Sequence, residues 1–348
     1  MSSENLNASA VPQHPALLLL PRIRVQNANA ISSPMTWGFP AMTGFLGLMT
    51  ALERRLGREA GIAFRAVGVV CHGFEAQTYG KYEKLFALKR PSVATRKEVD
   101  QLIKEGTPPA IVEEGRVHLE LSLVFDVLLC SDKLGEAQRQ ALVDLVANTL
   151  AGMRLAGGSV MPALPMAQVR RAKPTLQLEA QGDDERGKQF RALMRRCLPG
   201  FALVSRDDLL RERMAAMQAQ APQASALDAW LDLSRWNHRA VPGEDATEGS
   251  PCQWQTDARP GWTVPIPVGY AALSDLHPAG SVANARDTHT PFRFVETLWS
   301  MGQWVSPHRL KKLDDLLWYA ATEGDAHNVY RCCNDYAPEV LADLATNP

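Results

Sequence analysis

An α+β fold is what this 348-residue sequence predicts, on three observations. Strand-like and helix-like segments follow one another as β-α-β, β-α-β and then a mixed tail. Apolar residues make up 46% and charged residues 22%, the balance of a globular chain with a substantial core. The longest strongly apolar stretches, 16–20 and 121–130, fall short of the ~20 residues that span a bilayer, and Ser122 and Asp126 interrupt the second.

The elements run as follows. Residues 1–15 are polar, Asn/Ser-rich and carry Pro12 and Pro15, so they predict a disordered lead. LLLLPRIRV (17–25) is a strand whose second half alternates, Arg22 and Arg24 on one face and Ile23 and Val25 on the other. Pro21 implies an edge position or a bulge. A loop over 26–42 leads to a helix over 43–56, with Thr43 as N-cap and Phe45, Leu48, Met49, Leu52 and Leu56 at helical spacing. Residues 62–74 and 117–130 are strands, and 136–153 is a helix. Residues 157–173 are Gly/Pro-rich and then basic. A short strand at 201–204 precedes helices at 206–219 and 225–235, and 241–250 is a polar linker. Strands at 263–272 and 292–305 lead to an amphipathic helix over 310–321. This order suits a ferredoxin-like, RNA-recognition-type unit carrying insertions.

Lys plus Arg total 37 against 38 Asp plus Glu, a net charge of -1. That excludes a uniformly basic coat for nucleic acid but not a local basic channel. The N-terminal stretch lacks the basic residues and apolar run of a signal peptide, so a cytoplasmic location is expected, with no membrane partner. The six cysteines form no C-x-x-C pair and have no histidines at finger-like spacing, so no metal site or other cofactor is expected. Most of them read as small buried apolar residues, with adjacent Cys332 and Cys333 less easily placed.

No G-x-S-x-G, H-E-x-x-H or G-x-x-x-x-G-K-[ST] occurs. His72 and His308 are the histidines that a general acid–base pair for RNA cleavage would use; the alternative is that each is a hydrogen-bonded structural or contact histidine.

More information lies in QNANAISSPMTWGFP (26–40). It supplies amides (Gln26, Asn27, Asn29), hydroxyls (Ser32, Ser33, Thr36) and aromatics (Trp37, Phe39), and Arg22 and Arg24 lead into it. Amides read the edges of unpaired bases, aromatic rings stack on them and arginines hold phosphates. The competing reading is a turn-rich loop that only covers a core. Two basic sets accompany it: Arg170, Arg171 and Lys173, which the preceding glycines and prolines place on a protruding hairpin, and Lys188, Arg191, Arg195 and Arg196 on one helical face. His308 and Arg309, read as the N-terminus of the last helix, are candidate phosphate contacts. Seven of the eight tryptophans lie after residue 229, as a second core cluster or a protein interface. The acid-rich stretch from Leu313 onward is expected to face away from phosphate.

Several blocks carry a resemblance. LLLLPRIRVQNANAISSPMTWGFPAMTGFLGLMTAL (17–52), GVVCHGFEAQTYG (68–80), PPAIVEEGRVHLELSLVF (108–125), GYAALSD (269–275) and PFRFVETLWSMGQWVSPHRL (291–310) resemble the second Csy subunit of type I-F CRISPR–Cas complexes. That is a Cas-five-type member of the RAMP superfamily. The resemblance implies a ferredoxin-like core with a thumb hairpin over 16–180, a variable helical insertion over 181–260, and C-terminal strands and a helix over 261–348 completing the core. It implies a non-catalytic subunit that binds the 5′ handle of the CRISPR RNA. Its expected partners are the large Csy subunit, the backbone Csy subunit whose filament it caps, and target DNA through the assembled complex. The alternative is a metal-independent CRISPR RNA endoribonuclease, for which His72, Tyr79, Lys81 and Tyr82 are the candidate groups.

Overall fold

The structure is a computed structural model that describes residues 11–89, 95–106, 111–162, 173–243, 252–323 and 328–338. In chain order the first half is β1 (His14–Asn29), β2 (Ile31–Ser33), β3 (Thr36–Trp37), α1 (Met42–Leu56), β4 (Ile62–Ala76), β5 (Thr78–Tyr79), β6 (Leu85–Lys89), α2 (Arg96–Glu105), β7 (Val112–Glu114), β8 (Arg116–Leu129), α3 (Glu136–Ala151), β9 (Arg154–Leu155) and β10 (Gly158–Val160). The second half is β11 (Thr175–Leu178), α4 (Asp183–Arg196), β12 (Phe201–Ser205), α5 (Asp207–Gln220), α6 (Ala226–Ser234), β13 (His238–Val241), β14 (Gln253–Thr256), β15 (Trp262–Ala272), β16 (Val295–Val305), β17 (Leu317–Glu323) and β18 (Val329–Asn334).

An 11-stranded antiparallel sheet organises the chain, in the order β12-β16-β15-β18-β17-β4-β8-β1-β10-β9, with β11 on β1. The free edge of β4 is shared: Val67 and Gly68 pair with β17, and Val70 and Cys71 pair with β12. That second pairing closes β4, β17, β18, β15, β16 and β12 into a ring. Within the sheet, β1-α1-β4-β8-α3-β11 gives the local strand order β4-β8-β1-β11, every pair antiparallel.

The long strands are apolar on both faces because both faces are covered. Leu18, Leu20, Val67, Val69, Leu121, Leu123 and Phe125 point to one side, where α1 contributes Phe45 and Leu52 and α3 contributes Val143, Val146 and Leu150. Leu17, Leu19, Val70 and Val124 point to the other, against Phe190, Leu193, Met194 and Cys197 at α4. Gly68 marks a close approach: a Cβ there would meet Leu316 Cδ2 at 2.8 Å.

Three expectations are corrected, and Pro21 takes the second of the two placements expected for it. The first strand begins at His14, inside the stretch expected to be disordered, because Gln13 N–H and the register of His14 and Pro15 tie it to Leu128 and Leu129. Pro21 lies in an interior strand, where the register shift between Leu20 and Ile23 absorbs it as a bulge. Ala41, not Thr43, is the N-cap of α1, and no side chain caps it. The helix expected over 310–321 is a 3-10 turn (Leu313–Asp315) followed by β17. There the fully buried Trp318 donates Nε1–H to the Leu203 carbonyl at 2.8 Å, and Asn334 holds the Asp315 and Leu317 carbonyls. Tertiary pairing outweighed an apolar spacing that fits either element.

Candidate nucleic-acid interface

Two bulges on neighbouring strands build the polar centre of the site. β8 lies between β1 and β4, and both partners slip register opposite its residues 120–123: β1 between Leu20 and Ile23, β4 between Cys71 and Gly73. The bulged residues, Arg22 at φ 56° and His72, converge on Ser122 of β8. Arg22 donates its amide N–H to Ser122 Oγ at 3.2 Å and its guanidinium to Glu120 Oε1 at 3.1 Å. His72 Nε2 lies 2.7 Å from Ser122 Oγ and Nδ1 lies 2.6 Å from the Pro199 carbonyl.

This network assigns the tautomer. A carbonyl only accepts, so His72 Nδ1 carries the proton. In the neutral ring Nε2 is then the acceptor, so the Ser122 hydroxyl donates to it. Burial is the first cause that holds the imidazole below its ordinary value; the Pro199 hydrogen bond opposes this, and the Arg22 charge adds to the lowering. His72 is thus a neutral positioning group.

Beside it opens an apolar cavity of about 350 Å³, lined by Trp37, Phe39, His72, Phe201, Trp262 and Trp304 among others. Phe39 stacks on Phe45 at 5.5 Å and meets Trp304 edge-on at 4.9 Å, so it belongs to the packing between α1 and the sheet. Trp37 touches only Phe86 edge-on among described rings and stays 58% exposed. The exposed part of its indole is open to a planar group.

The other expected contacts sort by whether their polar atoms are engaged. Ile23 and Val25 pack into the core on the α1 side, so Arg24 points to the opposite face, where it has no side-chain partner among the described residues. Gln26 is exposed. Asn27 is exposed at φ 57°, its backbone N–H donating to His118 Nδ1. Asn29 closes a turn by exchanging bonds with the Ile31 backbone. Ser32 and Ser33 bond to Thr36 Oγ1, and Ser33 also accepts from Trp299 Nε1 at 2.9 Å. Those three side chains hold the β2–β3 hairpin that carries Trp37. Arg170 and Arg171 lie outside the described residues; Lys173 is exposed, and its carbonyl accepts from Arg196.

His308 and Arg309 are exposed, but the segment is a three-residue 3-10 turn (Pro307–Arg309) with extended chain after it. The helix N-terminus expected to favour phosphate there does not exist. The structure therefore joins Trp37, Phe39 and His72 at the cavity, ties Arg22 to His72 through Ser122, and leaves His308 and Arg309 outside both groups. Sequence reasoning missed Glu120 and Ser122, whose facing partners only register reveals. It saw Trp262 and Trp304 as core or interface residues, and they form the cavity wall.

The comparisons with known proteins agree with this arrangement of blocks. The family described as CRISPR-associated protein (Cas_Csy2) matches residues 18–332. The chain belongs to the Csy2 family. CRISPR-associated protein Csy2 of Pseudomonas aeruginosa (strain UCBPP-PA14) is 47% identical over 317 residues, covering 89% of this chain and 93% of that protein. As a Csy2 family member the chain is a subunit of the type I-F CRISPR Csy complex. The family match spans both bulged strands, the cavity and α4 to α6. Among the described residues no helix is long and apolar enough to cross a membrane, and no group of three or more His, Cys, Asp and Glu is placed to hold a metal.

Proposed function

We propose that this chain is a non-catalytic, cytoplasmic RNA-binding subunit that holds the 5′ handle of the CRISPR RNA together with the large Csy subunit and caps the backbone filament, meeting target DNA only within the assembled complex. The observation that carries the reading is the exposed indole of Trp37, on a hydrogen-bonded hairpin, at the cavity that His72 also lines, with the Arg22 cation joined to His72 through Ser122. An aromatic face with cations nearby is what unpaired bases and their phosphates require. The β1-α1-β4-β8-α3-β11 unit, with both helices on one face, supports a ferredoxin-like core for this task.

Geometry gives the ribonuclease alternative no support. Both ring nitrogens of His72 are engaged inside the protein, and no hydrogen bond links it to Tyr79, Lys81 or Tyr82 among the described residues. The test is fluorescence anisotropy of labelled handle RNA with the chain and the large subunit, over a salt series without metal. Affinity should fall with salt at a log–log slope of about -0.7 per phosphate neutralised, and the RNA should remain intact. Salt-independent binding, or metal-free cleavage of repeat RNA, would contradict the proposal.

A further inference from the structure

Away from that interface, α5, α6 and the β13–β14 hairpin enclose a second site. Two adjoining hollows of about 550 and 350 Å³ share Arg213, Asp232, Asn237 and Arg239 in their walls. They share no lining residue with the Trp37 cavity.

Four arginines, Arg213, Arg235, Arg239 and Arg259, meet two carboxylates there, Asp232 and Asp257. Asp232 is 7% exposed and accepts from Arg213 Nε at 2.7 Å, Arg235 Nη2 at 3.0 Å and Asn237 Nδ2 at 3.2 Å. Burial pushes its carboxyl up, and the two guanidinium contacts outweigh that and hold it below the ordinary carboxylate range. Asp232 therefore stays ionised as an anchor. Arg239 Nη2 reaches both oxygens of Asp257 at 2.6 and 2.5 Å.

These pairings use part of each guanidinium. The described residues leave an excess of two positive charges around the cleft and several N–H groups without acceptors. Arg259 is the sharpest case: Nη1 donates to the Leu233 carbonyl, while Nη2 is buried with no partner among the described residues. A buried cationic donor without an acceptor is costly, and an anion with several oxygens is what satisfies it.

The rim carries one open aromatic ring. Trp236, which lines the larger hollow, is 74% exposed, whereas Trp254 stacks on His238 on the other face of the hairpin and lines neither hollow. A carboxylate ligand would need the arginines alone; a nucleotide uses both the arginines and a flat rim. The larger hollow also falls within the usual size range for small-ligand pockets. We infer that this cleft binds a nucleotide, its phosphate on the unpaired arginine donors and its base on the exposed Trp236 ring.

The test uses the full chain labelled with 5-fluorotryptophan, which gives one ¹⁹F signal for each of the eight tryptophans. Trp236 is assigned by Trp236→Phe exchange. Uridine 5′-monophosphate should shift its signal saturably, while uridine without phosphate and an oligoglutamate peptide should not. Arg235→Gln combined with Arg239→Gln should weaken the response about tenfold or more, the loss expected for a charge-assisted hydrogen bond. The buried Trp230 and Trp318 signals should keep their positions, reporting an intact fold. Absence of a shift with the nucleotide, an equal shift with uridine, or a response to the peptide as large as that to the nucleotide would each overturn the inference. The wild-type comparison decides it even if the double variant fails to fold.

Discussion

Trp37 and Phe39 are two residues apart and do different work. Phe39 is wedged between Phe45 and Trp304, whereas Trp37 offers an exposed face. Replacing Phe39 with Ala should cost about 2–4 kcal/mol of stability, toward the lower part of the range for core aromatics because the ring is half-buried. Replacing Trp37 with Ala should leave the denaturation midpoint almost unchanged and weaken handle binding by roughly 1–3 kcal/mol, the value of one stacked base. Chemical denaturation and anisotropy on the same two variants check both statements. The sequence showed that the 26–40 segment mixes amides, hydroxyls and aromatics, but not which of them face inward. Ser33 reads as a candidate base contact in the chain and proves to be an acceptor for Trp299, 266 residues away. Such a partner is invisible to local spacing. His72 supplies a second prediction. Its ordinary value is 6.5, and burial lowers it in the folded state. Below about 6.5 the unfolded chain takes up a proton that the folded chain refuses, so stability falls as pH drops through that value toward the folded one. Stability measured by urea titration across this range should decline with acid in the wild type and decline less in His72→Gln.

Elements whose pattern is local were legible. The helical spacing of Phe45, Leu48, Met49 and Leu52 and the apolar runs of β4 and β8 gave those elements close to their observed limits. What failed was long-range. Residues 310–321 carry apolar positions that suit a helix, and the chain instead spends them on a turn and a strand, because β4 offers an open edge at Val67 and Gly68 and β18 a second partner. The closed ring of strands depends on that choice. Trp318 is its anchor: fully buried and bonded to the Leu203 carbonyl of β12 across the ring. Trp318→Ala should cost about 3–5 kcal/mol through the cavity it leaves. Trp318→Phe should cost less but strand the Leu203 carbonyl, a loss of about 1–3 kcal/mol. Denaturant midpoints at constant slope measure both; a change below about 1 kcal/mol for the alanine variant would count against the ring as a stabilising unit.

At the scale of the whole molecule, a net charge of -1 conceals a divided surface. Arg24 and Lys173 are cations without side-chain partners among the described residues, while Arg186 and Lys188 of α4 are each paired with an acid one turn away. On the basic helical face that the sequence offered, Lys188 is thus neutralised and Arg196 is held by Thr175 and the Lys173 carbonyl, while Arg191 and Arg195 stay exposed; the RNA reading rests on the bulged strands with their hairpin. A subunit of the Csy complex needs protein contacts as well, and exposed apolar side chains are available on α2, β6 and β7: Ile103, Leu88 and Val112. Assembly is the most direct measurement of the central claim. The chain, the large Csy subunit and CRISPR RNA are mixed and followed by size-exclusion chromatography with absorbance at protein and RNA wavelengths. The account predicts one early-eluting peak holding all three, formed at low salt and lost when the handle sequence is scrambled. A lone monomer of this chain that neither joins the large subunit nor retains RNA at low salt would contradict it.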